Sequence, residues 1–195
     1  MGKILVAYAT MAGSTAEVAQ AIRDELAKSG AQVDVLLVAQ VKDITPYDGV
    51  VLGGPMIMGW HRAASGFLRK HRKDLQRIPF AVFMLAMSLT QTANMSLDGV
   101  SLYIDDKLPK PPAKADRLTF KERYATLSNY IAPVLRAARP ALPASIGVFG
   151  GRLEYGRLKV WAVLFAMLII QAPAGDRRNW DLIREWAADL PEKFK

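Results

Sequence analysis

The stretch ILVAYATMAGSTAEVAQAI, Ile4 to Ile22, decides the architecture. Its first part belongs to an apolar run, KILVAYA from Lys3 to Ala9, with the composition of a strand buried on both faces. Its second part places Val18, Ile22 and then Leu26 on one helical face, with Lys28 in the last turn and Gly30 as the stop. Between them lies TMAGST, Thr10 to Thr15, and Ser14 with Glu17 has the spacing of an S-x-x-E capping box. A strand–turn–helix of this kind aims the first helical N–H groups, and the positive end of the helix dipole, into the turn. Three hydroxyls and Gly13 add neutral donors and backbone freedom, which describes a cradle for one phosphate monoester built without a cation. The nucleotide-hydrolysing pattern G-x-x-x-x-G-K-[ST] is absent, and so is the dinucleotide pattern G-x-G-x-x-G. The plainer reading of the same six residues is a well-capped helix start.

Working outward, QVDVLLVA reads as a second strand and YDGVVLGGP as a third, central one ending on Gly53 and Gly54. HRAASGFLRKHRKDL follows as a helix with Ala64, Phe67, Leu68 and Leu75 inward and a basic outer face on which His71 is solvated. FAVFMLAMS is a fourth strand and ASIGVFGG a fifth. Thr119 and Glu122 form a second capping box, opening a helix with Tyr124, Leu127, Ile131 and Leu135 on one face and Pro133 as a kink or stop. A last amphipathic helix from Asn179 buries Trp180, Ile183, Ala187 and Leu190 and ends at Pro191. Strands alternating with helices imply an α/β fold: a doubly wound, five-stranded parallel sheet in the order 2-1-3-4-5 with helices on both faces. Residues 1–195 read as a single domain with insertions at about 94–117 and 152–176. The first insertion, ending in KLPKPPAK, is expected to be exposed, with VSLYI inside it forming a short strand.

The chain is 51% hydrophobic and 23% charged, enough to bury a full core. It has no cysteine, which removes disulfides, thiolate metal sites, iron–sulfur clusters and thiol catalysis and fits a reducing, cytoplasmic setting. The N-terminal MGKILVAYAT lacks a small-residue cleavage site and is expected to be a strand rather than a signal peptide. A formal charge of +8, with a pI near 9.8, favours anionic partners. The basic residues form no long tract, so no nucleic-acid arm is indicated, and no metal site is expected.

In a doubly wound sheet the loops at the carboxyl ends of neighbouring strands converge on one crevice. Here those loops are TMAGST, then PMIMGWH with Pro55, Met56, Met58, Gly59 and Trp60, then MSLTQT with Ser88, Leu89, Thr90 and Gln91. A phosphate cradle, a flat aromatic and a polar loop describe a mononucleotide with a large planar ring.

ILVAYATMAGST followed by VVLGGPMIMGWHRAASGFLRKH resembles the flavodoxin superfamily. The sequence is most similar to the branch that includes menaquinone-dependent protoporphyrinogen IX dehydrogenase. That branch has a second loop of the form G-[SA]-x-[VI]-Y-M-G-x-W/H leading into F-[LV]-x-[KR]-H. Gly53, Gly54, Met58, Gly59, Trp60, Phe67, Leu68 and His71 stand where the pattern asks, while Ile57 replaces the usual tyrosine. The tail GGRLEYGRLKVWAVLFAMLIIQ and NWDLIREWA is similar as well. The resemblance implies FMN as cofactor, with Thr10, Met11, Ala12, Gly13, Ser14 and Thr15 around its phosphate. It implies Trp60 against the isoalloxazine ring, the Met58–Gly59 peptide near N5, Pro55 and Met56 beside them, and Ser88, Leu89 and Thr90 at the other edge.

The same resemblance implies an oxidoreductase passing electrons from a reduced, anionic, porphyrinogen-like substrate to a quinone-type acceptor. His61 is the candidate proton donor, against the plainer role of a helix-start histidine. Arg62, Arg69, Lys70, Arg72, Lys73 and Arg77 are either a solvated face or a surface for acidic substrate or lipid. The apolar run Leu158 to Ile170 is shorter than the roughly 20 residues that span a bilayer. It is either a buried helix or, with its flanking arginines and lysine, an interfacial helix at the inner face of a membrane. A homodimer is compatible with all of this. Two other function classes remain open: a carrier shuttling electrons between redox proteins, as a plain flavodoxin does, and a flavin-free binding module.

Overall fold

The computed structural model describes residues 2–56, 59–91, 99–114, 117–153 and 175–195. Among these residues, strands β1 (Lys3–Tyr8), β2 (Gln32–Leu37), β3 (Gly49–Pro55), β4 (Phe80–Ala86), β5 (Leu89–Thr90), β6 (Ser101–Ile104), β7 (Pro109–Lys110), β8 (Ser145–Gly150), β9 (Arg152–Leu153) and β10 (Gly175–Asp176) occur with five α-helices. These are α1 (Ser14–Lys28), α2 (Arg62–His71), α3 (Phe120–Tyr124), α4 (Leu127–Ala138) and α5 (Trp180–Lys193).

The main sheet is parallel, with strand order β2-β1-β3-β4-β8-β6. Five of these strands follow the expected 2-1-3-4-5 order. The sixth, β6, is the VSLYI segment, which joins the edge beside β8. Residues 101–110 are therefore stitched into the fold rather than a loose excursion. Asp105, fully buried at the end of β6, accepts the Lys107 and Gly150 amides at 3.1 and 3.3 Å. Leu108 is buried, and β7 pairs with β5.

Alternation along the central strands sorts the core into two layers. Val50, Leu52, Val82 and Met84 pack with α2 and α4, whereas Val51, Ala81, Phe83 and Leu85 pack with α1 and α5. Trp186 of α5 is fully buried and meets Phe83 and Phe149 edge-on, with ring centroids 6.2 and 5.5 Å away. Gly53 makes room for the Phe83 ring across the strand pair, because a Cβ there would lie 1.9 Å from it. The register pairs Tyr8 with Gly53, Gly53 with Phe83 and Ala86 with Gly150. β4 and β8 end level, β3 stops one residue short of them and β1 three, and the loops of all four leave from one edge of the sheet.

The helices differ from expectation in three places. The segment after Thr119 breaks in two: the Thr119–Glu122 capping box starts α3, Thr126 caps α4 separately, and Tyr124 stays exposed. Pro133 sits inside α4, and Pro191 sits inside α5, which continues to Lys193. His71 is buried at 4% exposure and packs on Phe67 with ring centroids 4.6 Å apart, because α2 is followed by a tight turn and the short 3-10 segment Asp74–Gln76. Desolvation lowers its pKa, so it lies in the core as a neutral ring.

One buried hydrogen-bond chain ties the last helix to the sheet edge. The Trp186 indole N–H donates to Ser145 Oγ at 2.8 Å, and that hydroxyl donates to the Ser101 carbonyl at 3.1 Å. Replacing Ser145 with Ala leaves a fully buried N–H without its acceptor, which costs about 1–3 kcal/mol. Urea denaturation of Ser145→Ala is expected to show a lower midpoint at an unchanged slope.

Candidate functional site

The turn after β1 is built as a ring of donors. Gly13 is the residue preceding α1, with φ 90, a left-handed conformation open to glycine at little cost. Its N–H donates to Thr10 Oγ1 at 2.9 Å, and its carbonyl accepts the Ala16 and Glu17 amides at 3.0 and 3.3 Å. That corrects the expected capping box, since no side chain caps α1 and Ser14 is its first helical residue. The Ser14 and Thr15 amides have no acceptor within the turn or helix, as the geometry of a helix start dictates. Thr15 Oγ1 is fully buried and has no hydrogen-bond partner. Met11 is exposed, and Thr10, Ala12, Gly13 and Ser14 are half-buried.

Glu17 faces the other way, which explains the missing box. Its carboxylate takes bonds from Arg152 Nη1 at 3.2 Å and from Arg178 Nη1 at 2.7 Å. The Arg178 side chain is 3% exposed, also binds Asp176, and lies with its guanidinium 4.4 Å from the Trp180 ring centroid. Hydrogen bonding to Arg178 holds the Asp176 carboxyl below its ordinary value. Two guanidinium groups thus meet two carboxylates behind the first turn of α1. The negative charge of Glu17 is compensated there, so it does not oppose an anion in front of the same turn.

The second loop folds back tightly. Met56 and Trp60 form an antiparallel bridge, the Met56 amide donates to Leu85, and the His61 amide donates to Pro55 at 3.2 Å. Gly59, between them, has φ 115. Ile57 and Met58 lie outside the described residues. Trp60 is drawn inward: it is 5% exposed, belongs to the core layer of α2, and keeps its indole N–H buried without a partner. Gly54 permits this, because a Cβ there would stand 3.1 Å from that nitrogen. In this arrangement the indole is a packed side chain rather than an open shelf, and Pro55 and Met56 are half-buried beside it. His61 Nδ1 accepts the Ala63 amide at 3.2 Å and caps α2. Burial lowers its pKa, so near neutral pH the ring is uncharged and its proton sits on Nε2.

The third loop is anchored from behind. Thr90 Oγ1 donates to the Glu122 carbonyl at 2.8 Å, and the Thr90 amide donates to Ala125 at 2.7 Å. Leu89 is 4% exposed and Thr90 6%, so both serve the packing of residues 105–126. Ser88 remains exposed, and its carbonyl is held by the Tyr130 hydroxyl at 2.7 Å.

Sequence reading missed the Glu17–Arg178 pair and the Tyr130 anchor. The pairs are separated by 161 and 42 positions, and no local periodicity encodes such contacts. The basic stripe of α2 is partly engaged, with Lys70 Nζ donating to the Val41 and Lys42 carbonyls. The apolar run Leu158 to Ile170 lies outside the described residues. Among the described residues no helix is long and apolar enough to cross a membrane, and no cluster of three acidic or histidine side chains is placed to hold a metal ion.

A family model described as "Flavodoxin domain" matches residues 5–178. Among solved structures, a short-chain flavodoxin associated with a non-canonical PDU bacterial microcompartment aligns over 100% of both chains at 13% identity and TM-score 0.51. The two-electron reduced flavodoxin of Megasphaera elsdenii aligns over 95% of this chain and 98% of its own, at 11% identity and TM-score 0.51. Fusobacterium nucleatum flavodoxin bound to flavin mononucleotide aligns over 100% of both chains, at 16% identity and TM-score 0.50. At such identities the likeness is one of fold. No curated protein matches the sequence.

Two substitutions test the anchoring. Tyr130→Phe removes the bond to the Ser88 carbonyl and is expected to cost about 0.5–1.5 kcal/mol in chemical denaturation, with faster amide exchange in residues 88–91. Arg178→Met leaves Glu17 and Asp176 without their buried partner, a loss of roughly 1–2 kcal/mol because both carboxylates are partly exposed. The Asp176 share has a defined pH window. Its folded pKa lies below 3.8, so its contribution is complete above that value and disappears as pH falls through the folded pKa. The stability difference between wild type and Arg178→Met should shrink over that acid range.

Proposed function

The chain belongs to the flavodoxin-domain family, and on that premise we propose that it binds FMN and passes electrons through it. The observation that carries this reading is Thr15: a fully buried hydroxyl with no partner, at the start of a helix whose first amides open into a glycine turn. A buried, unpaired hydroxyl costs free energy unless a ligand completes it. Thr10, Met11, Ala12, Gly13, Ser14 and Thr15 fit a phosphate monoester, with amide and hydroxyl donors and a helix end in place of a lysine. When bound, FMN supplies the electron-transfer chemistry, and the chain positions it and biases its redox states.

The ring would lie by the loop Pro55 to Trp60, with Ser88 at its far edge. Gly59, in a conformation that other residues reach only with strain, lets the Met58–Gly59 peptide present either its carbonyl or its N–H. Trp60 supports the ring in one of two ways: as a packed backing for the loop, as it stands, or as a stacking face after the loop opens. The single proton on His61 Nε2 is the candidate donor at this edge.

The finer part of the proposal concerns the exchange partners: a small anionic, porphyrinogen-like reductant and a quinone-type acceptor. Support comes from the net charge of +8 and from the second-loop and tail motifs of the protoporphyrinogen dehydrogenase branch. The basic flanks of Leu158 to Ile170 support contact with an anionic membrane surface, where a quinone would be met. A carrier shuttling electrons between redox proteins is the second reading, favoured by the flavodoxin fold itself. Turnover of protoporphyrinogen with a soluble quinone separates the two.

The test begins with an absorption spectrum of the purified protein and a titration of flavin-free protein with FMN. Thr15→Val, nearly isosteric, is expected to weaken FMN at least about tenfold by removing one hydrogen bond to a charged group. Trp60→Ala is expected to lower affinity or shift the flavin potential. Protein that takes up no flavin sinks the proposal, and an unchanged affinity and potential in Trp60→Ala removes the role given to that residue.

A further inference from the structure

At the same edge of the sheet, on the side of β8, lies a cavity of about 310 Å³ lined by Lys107, Leu108, Lys110 and Arg177. Its volume is at the lower end of the range for small-molecule sites. Both walls are fixed by backbone bonds. On one side, the Lys107 amide donates to Asp105 Oδ1, the Leu108 amide donates to the Asp105 carbonyl, and the Lys110 carbonyl accepts the Gln91 amide at 2.8 Å. On the other, Arg177 donates its amide to Gly151 at 3.0 Å and its Nη1 to the Met87 carbonyl at 3.0 Å. Gly150 allows this close approach, since a Cβ there would lie 1.9 Å from the Arg177 carbonyl oxygen. Leu108, 2% exposed, forms an apolar floor.

The charges around this space are unbalanced. Several cations in the described residues meet carboxylates: Lys3 with Asp34, Lys28 with Glu25, Arg152 and Arg178 with Glu17. Among the described residues, Lys107, Lys110 and Arg177 form no ion pair with a carboxylate, although Asp105 is next but one to Lys107. The Asp105 carboxylate is committed to two backbone amides and is fully buried. Three like charges around one concave space repel each other, and an anion relieves that repulsion.

We propose that this cavity is a binding site for a small acid carrying two oxyanion groups, carboxylate or phosphate. Arg177 takes one group through the fork of its guanidinium, Lys107 and Lys110 take the other, and the carbon body rests on Leu108. The site stands on its own residues and does not depend on flavin binding.

Calorimetric titration at low ionic strength, with succinate and with phosphoglycolate, tests it on the wild type and on the double variant Lys107→Ala, Lys110→Ala. Both lysines are exposed, so the double variant is expected to fold. Saturable binding of either anion, weakened about tenfold or more in the double variant, is the expected result, and the stronger of the two anions identifies the acid group. Phosphoglycolate would also enter the turn Thr10 to Thr15, so Thr15→Val serves as the reciprocal control, expected to leave the lysine-dependent binding intact. The proposal is overturned if neither anion saturates, if the double variant binds as the wild type does, or if acetate binds as tightly as succinate. A protein that takes up FMN but fails these titrations keeps its flavin role and loses this site, and the converse holds equally.

Discussion

A parallel sheet buried on both faces can offer ligands only its ends. With α1 and α5 against one face and α2 and α4 against the other, nothing large reaches the middle of this sheet. The parallel register of β1, β3, β4 and β8 then becomes the governing constraint, because it decides which loops can meet. The loops that carry Gly13, Gly59 and Ser88 leave one edge because Tyr8, Gly53, Phe83 and Gly147 stand in one row. A slip of one residue in any pair would turn core side chains to the wrong face and misalign the crevice.

Within that frame, different loops receive different stiffness. The first is braced from behind by an ion cluster that neutralises Glu17 while leaving the Ser14 and Thr15 amides unengaged. The third is clamped by Tyr130, Glu122 and Ala125. The second turns on Gly59, with φ 115, and on a tryptophan packed into the core beside it. A rigid anion end and an adjustable middle suit a ligand with one fixed charged group and one part whose electronic state changes.

What was legible in the sequence was local. KILVAYA, VVLGGP and ASIGVFGG are continuous apolar runs, and such runs mark strands covered on both sides. The turn Thr10 to Thr15 announced itself through hydroxyls and glycine. Distant partners added what no local pattern encodes. Ser14 and Glu17 have the spacing of a capping box, yet the box loses Glu17 to two arginines more than 130 residues away. Leu89 and Thr90 follow a strand as ligand loops do, yet the segment after Asp105 claims them for packing. Trp60 has the residue type and position of a shelf, but Gly54 leaves a hollow that the indole fills. His71 looked solvated among six basic neighbours, and a short turn buried it.

The edge position of β6 has a consequence for how the chain assembles. Among the described residues its one neighbour in the sheet is β8, which lies more than forty residues further along and must itself first dock on β4. On an emerging polypeptide, Ser101–Ile104 therefore has nowhere to pair until Ser145–Gly150 has been synthesised, and its backbone donors and acceptors wait in water. A waiting strand invites pairing with another molecule. The short length of this one, and the acid–acid–lysine sequence immediately after it, are the ordinary means by which chains discourage that error.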